Sequence, residues 1–363
     1  MDGGRRGSCG QMHDDPFMER CLQLARLGAA SATPNPMVGA VLARHGTIIA
    51  EGWHHAAGRP HAEVECLTAF GDGPVPTDAV LYVNLEPCAH LGRTPPCADL
   101  LIARGVRHVV VAHPDPFPQV AGRGIARLRA AGVRVDVGVR EAEARWMNRR
   151  FLTSVELGRP YIVLKWARTS DGFLDQHPRA GRGVHRISSA ASEVLVHRWR
   201  SEEQAILVGG RTVENDDPAL TVRHVEGRQP LRVVLDRADR TPAASKVYDG
   251  SVPTLLFTAR PRSDVHIEQV ITPLDADPLN TLLAELHRRN IRSVLVEGGA
   301  TLLGHFLWRG LWDEARVITG AVAFGAGTAA PDLPKAPARS IRVGTDRIDL
   351  VVHGHNPEDA WCW

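Results

Sequence analysis

His61-Ala62-Glu63, Pro87-Cys88 and Cys97 together offer three metal ligands and one carboxylate left over. A structural zinc usually takes four protein ligands, whereas a catalytic zinc keeps one position open for water. His61, Cys88 and Cys97 make three. Glu63 follows the histidine by two residues, so on a helix it stays near the metal but points differently. It can then take a proton from an attacking water and pass it to a substrate nitrogen. The chemistry this set could perform is hydrolytic.

A histidine-x-glutamate followed by a proline-cysteine is the logic of zinc-dependent deamination. Taken singly the signals are weak, because His-x-Glu occurs by chance on many surface helices. The usual gap between the two cysteines is two residues; here eight intervene, Ala89 to Pro96. Spacing alone therefore leaves a second reading open, two buried free cysteines beside a helix-start histidine, since free cysteine is a common core residue.

The surrounding pattern supplies elements to hold these groups. Apolar residues between Phe17 and Leu27 recur at helical intervals, predicting a helix over 17–30. Thr33-Pro34-Asn35-Pro36 is a rigid loop. Val38–Leu42 and Thr47–Ala50 read as a hairpin through His45-Gly46, and His61 opens the next helix. Ala79–Val83 is a buried strand, and Cys97 starts a helix to about Arg104, where the macrodipole favours a thiolate. Strands at 108–112 and 133–137 alternate with a helix at 125–131, and a polar helix over 140–157 closes a layered α/β domain.

Arg159-Pro160 marks a boundary, and Tyr161–Trp166 opens a second α/β domain. Its further strands are expected at 205–208, 231–235, 254–257, 293–296 and 314–318, with helices near 189–200, 278–290 and 300–309. No Gly-x-Gly-x-x-Gly follows its first strand, against a standard Rossmann dinucleotide site. Val296-Glu297-Gly298-Gly299 does pass from strand to helix through two glycines, a place whose free N–H groups can hold a phosphate; a tight turn without ligand is the alternative. Gly209-Gly210-Arg211-Thr212 is a similar place.

Composition excludes several classes. With 363 residues the chain is long enough for two cores, and 44% apolar with 23% charged residues is ordinary for a globular protein. A net charge of +2 without a Lys/Arg block gives no nucleic-acid footprint. No apolar run reaches about 18 residues, so no membrane span is expected. The six cysteines are scattered and do not form a disulfide framework, which fits a cytoplasmic location. Arg5-Arg6 is followed by no apolar segment, against a twin-arginine signal, and residues 1–13 read as a disordered tail.

With these pieces assembled, the chain resembles the bifunctional riboflavin-biosynthesis deaminase–reductase (RibD) family over about residues 14–352. The matches in the first half are Pro34-Asn35-Pro36-Met37-Val38-Gly39, His61-Ala62-Glu63, Glu86 through Cys97 with its eight-residue gap, Asp115-Pro116 and Val120-Ala121-Gly122-Arg123-Gly124. In the second half they are Leu164-Lys165, Asp171-Gly172, Ile187-Ser188, Ala205 to Gly209, Asp216 to Arg223 and Val296 to Gly299.

The resemblance implies a cytidine-deaminase-like αβα domain over 14–157 and a dihydrofolate-reductase-like domain over 158–363. It implies Zn2+ on His61, Cys88 and Cys97, with Glu63 as proton carrier, and NADPH in the second domain. Asn35, His90 and Arg93 match substrate-contacting positions of the deaminase half. In the reductase half Ala167, Thr212, Asp216 and Gly299 match cofactor-contacting positions. Arg200, Leu220, Arg223 and Glu297 match substrate-contacting ones, and Lys165, Asp216 and Glu297 are the candidates for proton handling. Structural ion pairs are the other reading of those three. The implied substrate is a phosphorylated pyrimidine, with no nucleic-acid or membrane partner; self-association is common in the family, so a homo-oligomer is left open.

Phe117, Ser170 and Arg186 depart from the family's usual residues, and the last could alter packing on the cofactor. Two readings compete with a bifunctional enzyme: an active deaminase carrying a degenerate reductase-like domain, and a deaminase acting on nucleic acid. A zinc-stabilised scaffold has no use for Glu63.

Overall fold

The computed structural model describes residues 11–89, 95–117, 120–179 and 181–354. They fall into two compact units that meet where Leu157 passes into Gly158.

The first unit begins with α1 (Gln11–Arg26), followed by β1 (Gly39–Arg44) and β2 (Thr47–Trp53). Their hairpin turns through His45 and Gly46, both at positive φ (50° and 77°), the combination that matches strand twist in a two-residue loop. Next come α2 (Ala62–Phe70), β3 (Val80–Val83), α3 (Cys97–Ala103) and β4 (His108–Val111). The unit ends with α4 (Arg123–Ala130), β5 (Arg134–Val137), α5 (Glu141–Met147) and α6 (Arg149–Leu157).

The sheet order is β2-β1-β3-β4-β5, antiparallel at β2-β1-β3 and parallel from β3 to β5. Alternation along each strand sends side chains to two faces. Ala40, Leu42, Leu81, Val83, Val109 and Val111 pack with residues of α2, α3 and α4. Val41, Ala43, Tyr82 and Val110 pack with Met18, Leu22 and Ala25 of α1 and with Ala144 and Met147 of α5.

Three expectations need correction. α1 starts at Gln11, so residues 11–13 are helical and not part of a disordered tail, and it stops at Arg26, not at residue 30. The helix expected over 140–157 is two helices, α5 and α6, separated at Asn148. Asn148 is buried with its side chain bonded to the backbone N–H and carbonyl of Met37, a tertiary use of a polar residue that periodicity does not reveal.

The second unit contains β6 (Tyr161–Arg168), β7 (Phe173–Gln176), α7 (Ala190–Glu202), β8 (Ala205–Gly209) and α8 (Gly210–Asp216). Then follow β9 (Leu231–Leu235), β10 (Thr254–Thr258), β11 (Glu268–Ile271), α9 (Pro278–Arg288) and β12 (Ser293–Val296). The last elements are α10 (Ala300–Trp308), β13 (Glu314–Thr319), β14 (Gly327–Ala329), β15 (Arg339–Val343) and β16 (Asp346–Val352).

The main sheet runs β11-β10-β9-β8-β12-β6-β13-β16-β15, parallel as far as β13 and antiparallel in the last two pairings, and β7 pairs separately with β14. The buried parallel strands read as near-continuous apolar runs because both faces are covered. One face holds Ile162, Leu164, Leu207, Phe257 and Val296 against α9 and α10. The other holds Ile206, Val208, Val234 and Leu256 against Val213 of α8. Strands β7, β11, β14, β15 and β16 and helix α8 were not expected, being short, exposed or polar along one face.

Candidate active sites

His61 stands at the N-cap of α2 with extended backbone and makes no side-chain cap bond, so its ring is free to face the β3–α3 loop. Cys97 is the first residue of α3, and Cys88 lies in the loop before it. Their sulfurs lie 3.6 Å (Cys88) and 3.3 Å (Cys97) from His61 Nδ1, and all three ligand atoms fall within 4.8 Å of one another. Tetrahedral zinc with ordinary Zn–N and Zn–S bonds sets nitrogen and sulfur about 3.5 Å apart, so the set fits the ion. The electrostatics agree. Hydrogen bonding with Cys97 and His61 draws the Cys88 thiol down to about 4, and the same contact raises His61 to about 9. Groups crowded together and competing for protons are released from that competition by a dication.

Glu63 sits in the first turn of α2 beside this set and is 3% exposed. Its Oε2 is buried without a hydrogen-bond partner among the described residues. Burial pushes its carboxyl above the ordinary range, opposed by His61. A carboxyl whose hold on a proton is strengthened by burial, with one idle oxygen, is suited to carrying protons.

Asn35 is brought to the same place through a residue the sequence reading missed. Its Nδ2 lies 3.1 Å from His54 Nε2, and the His54 ring stands edge-on to His61 with centroids 5.6 Å apart. His54 Nδ1 lies 2.9 Å from the Pro60 carbonyl. That carbonyl can only accept, so Nδ1 carries the proton and Nε2 accepts from Asn35, which leaves the Asn35 carbonyl oxygen available. A lone loop histidine carries no spacing signal, so nothing in the sequence marked it. His90 and Arg93 lie outside the described residues.

In the second unit a cleft of about 1050 Å³ opens at the C-terminal ends of β6, β8 and β12, where open α/β sheets bind ligands. Lys165, Ala167, Arg200, Thr212, Asp216, Leu220, Arg223, Glu297 and Gly299 all line it. Glu297 follows β12 and accepts from Arg200 through both oxygens, 2.6 Å from Nε and 2.7 Å from Nη2, with Lys165 Nζ at 3.7 Å. Burial pushes Glu297 up, but Arg200 and Lys165 outweigh it and hold it at about 2. Burial lowers Lys165, partly offset by Glu297. Asp216 is raised by burial, opposed by Arg179, whose Nη2 donates to it at 3.0 Å.

Leu220 meets the cleft in its own way. It is 2% exposed at φ 53°, its side chain packed with Val208, Val213 and Val234, so what it can offer the cleft is backbone. Gly298 and Gly299 form a cradle a side chain would fill. A Cβ on Gly298 would come within 2.7 Å of Val208 Cα, and Gly299, at φ 57°, caps the nine-residue α10. Close backbone passage into a helix start, beside a cleft of this size, fits the diphosphate of a dinucleotide.

Of the departures, Ser170 is exposed and donates to the Val322 carbonyl at 3.0 Å, and Arg186 is largely exposed and pairs with Glu193 at 2.8 Å. The Phe117 N–H donates to Asp115 at 2.8 Å.

A zinc set with an idle buried carboxylate in one α/β unit, and a dinucleotide-sized cleft on a parallel sheet in the other, define a deaminase joined to a reductase. Comparison with known proteins agrees. Residues 11–113 match the cytidine and deoxycytidylate deaminase zinc-binding region, and residues 160–350 match the RibD C-terminal domain. The chain is 40% identical over 353 residues to riboflavin biosynthesis protein RibD of Aquifex aeolicus, covering 93% of this chain and 97% of that protein. Its identity to the Escherichia coli K12 protein of the same name is 38% over 333 residues, covering 87% and 89%.

Among solved structures, Acinetobacter baumannii RibD aligns with a TM-score of 0.84 at 34% identity, covering 94% of this chain and 99% of that one. The deaminase/reductase of Thermotoga maritima aligns with a TM-score of 0.82 at 32% identity, with the same coverage. The chain belongs to the RibD family of bifunctional riboflavin-biosynthesis enzymes, zinc-dependent deaminase in one half and NADPH-dependent reductase in the other. None of its described helices is long and apolar enough to cross a membrane.

Proposed function

We propose that the chain deaminates 2,5-diamino-6-(5-phosphoribosylamino)pyrimidin-4(3H)-one and then reduces the ribosyl group of the product to a ribityl chain, giving 5-amino-6-(5-phosphoribitylamino)uracil. The observation that carries this reading is the unpaired, buried Oε2 of Glu63 beside His61, Cys88 and Cys97.

Zinc on these three ligands supplies Lewis acidity that makes water a nucleophile near neutral pH. Glu63 takes one proton from the attacking water, protonates the ring nitrogen next to the carbon under attack, and delivers a proton to the departing amine. Water enters, ammonia leaves, and the amino-bearing carbon becomes a carbonyl. Asn35, its amide oriented by His54, holds the pyrimidine edge. His90 and Arg93 are assigned to the substrate phosphate, where positive charge is favourable.

In the second unit NADPH supplies a hydride to the ribose C1′. Ala167, Thr212, Asp216 and the Gly299 turn hold the cofactor; Arg200, Arg223, Glu297 and the Leu220 backbone hold the substrate. Opening the sugar breaks the C1′–O4′ bond, and O4′ needs a proton. Lys165, with a lowered affinity for its proton, is assigned as the donor, steadied by Glu297, and Asp216, paired with Arg179, is the further candidate for proton handling at the cleft. Two short ion-paired networks meet the cleft here, so these roles rest on chemistry as well as on placement. The modest net charge of +2 favours a small-molecule substrate over nucleic acid, and scattered free cysteines favour a cytoplasmic, reducing compartment.

The test is a split assay on the purified chain. Ammonia release is followed first without NADPH, and NADPH oxidation after its addition. Ammonia first and NADPH loss second is the expected order. Zinc-loaded protein that releases no ammonia would remove the substrate assignment, and deaminated product that accumulates without NADPH loss would mark the reductase half as degenerate.

A further inference from the structure

Glu86, two residues before the ligand Cys88, is 4% exposed, and its carboxylate accepts four backbone N–H bonds. Asp115 (3.1 Å) and Gly122 (2.9 Å) donate to Oε2, and Gly124 (2.8 Å) and Ile125 (3.2 Å) donate to Oε1. Its own N–H donates to the His113 carbonyl at 3.1 Å. The carboxylate thus closes the first turn of α4 and the loop that leads into it, where a negative charge is also favoured by the helix dipole.

The next two residues are fixed as tightly. The Pro87 carbonyl lies so close to α4 that a Cβ on Gly124 would stand 1.9 Å from it. Cys88 is held from the other side by the start of α3: Cys97 N–H donates to its Sγ at 3.3 Å and Ala98 N–H to its carbonyl at 3.1 Å. Three consecutive residues are therefore gripped between the beginnings of two helices, with the metal-binding sulfur at the end of the series.

We infer that Glu86 is a positioning residue for the zinc ligand Cys88: it locks the Glu86-Pro87-Cys88 segment between α3 and α4 in the metal-free protein, so that the sulfur is in place before zinc arrives. The inference rests on the zinc assignment to His61, Cys88 and Cys97. Its physical basis is the matching of acceptors to donors. A carboxylate offers acceptors only, enough for all four N–H groups, whereas a glutamine of the same shape turns an NH2 toward two of them. Ordering a ligand in advance removes that cost from the binding step, and partners that orient metal ligands typically change affinity by about 10–100-fold when lost.

Two measurements decide it. Hydrogen exchange on the metal-free full chain should find the Gly122, Gly124 and Ile125 amides protected already. If they exchange as freely as open loop amides until zinc is added, the segment is organised by the metal and the inference fails. In Glu86→Gln, chelator competition should show zinc held about 10–100-fold more weakly. The absorption of the cobalt-substituted variant should also change at a temperature where its circular dichroism is native, with NADPH oxidation on the deaminated substrate unchanged. Parental zinc affinity and cobalt absorption in Glu86→Gln would overturn the inference whatever its melting temperature, because a residue that only stabilises the fold moves the melt and not the metal. Should that variant not fold, the exchange result alone decides. A parent chain that binds neither zinc nor cobalt would instead strike at the zinc assignment, which the exchange measurement does not use.

Discussion

Arg200 and Glu297 meet in a two-pronged ion pair, Nε to Oε1 at 2.6 Å and Nη2 to Oε2 at 2.7 Å, across 97 residues of sequence. The pair joins α7 to the end of β12 and is almost fully enclosed. Lys165 approaches the same carboxylate at 3.7 Å, so one negative charge serves two cations. Glu297→Gln should leave both cations without their counter-charge. Reductase turnover is expected to fall at least about a hundredfold, the scale of a lost positioned proton group, while ammonia release stays at the parental rate. Parallel assays of the two half-reactions check this.

Glu63→Gln should produce the opposite separation. The amide cannot shuttle protons, so ammonia release should fall by about 10²–10⁴-fold. Zinc content, read by metal analysis, should remain near one per chain because Glu63 is not among the ligands. Loss of zinc along with activity would mean that Glu63 holds the metal site together.

Removing zinc with a chelator should stop ammonia release and leave NADPH oxidation on pre-deaminated substrate intact. Cys97→Ser should do the same permanently, since a hydroxyl is a poor replacement for a thiolate ligand. Reductase loss on chelation would contradict the assignment of the two chemistries to separate units.

Acid should weaken the second unit in two stages. Burial depresses His197 to about 4, and its Nδ1 accepts from the Arg223 N–H at 3.0 Å, so the fold prefers it neutral. A group whose folded value is depressed contributes stability that is complete above its unfolded value, about 6.5 for histidine. That contribution is lost as pH falls toward 4. Glu297, held at about 2, contributes stability complete above about 4.3 and lost as pH falls toward 2. Chemical denaturation across this range should show both declines. His197→Asn, which keeps an acceptor, should flatten the first, and Glu297→Gln the second.

Arg232 is fully buried and its guanidinium donates to Thr254 Oγ1, to the carbonyls of Ala219, Lys246 and Val252, and to Asp249. It ties the segment carrying Ala219 and Leu220 to the sheet beneath the cleft. Arg232→Met removes these bonds from beneath the cleft and should cost about 1–3 kcal/mol. A fall in the melting temperature together with a raised KM for the reductase substrate would check both parts.

What could be read without coordinates divides along physical lines. The zinc set was legible from its ligand residue types, with the family resemblance accounting for an eight-residue gap that spacing alone left open, and α2 and α3 begin at His61 and Cys97. The buried strands β3, β8 and β12 were legible from unbroken apolar runs. Edge strands such as β11 and β15, with mixed polar faces, were not. The hardest residues to foresee are those whose role is to hold another: His54 behind Asn35, Glu86 behind Cys88, and Arg179 beside Asp216. Each contact depends on the tertiary meeting of distant segments, and even where a motif contains the residue, as with Glu86, it does not name the partners.

The passage from Leu157 directly into Gly158 has a consequence for flux. Two catalysts translated as one polypeptide are always present in equal numbers, so their relative capacity cannot be tuned by expression. Any imbalance between the steps has to be written into the two sites themselves, through turnover and through how much of the chain population carries its metal. A shortage of zinc would therefore throttle the first step alone and leave a full complement of the second waiting for substrate.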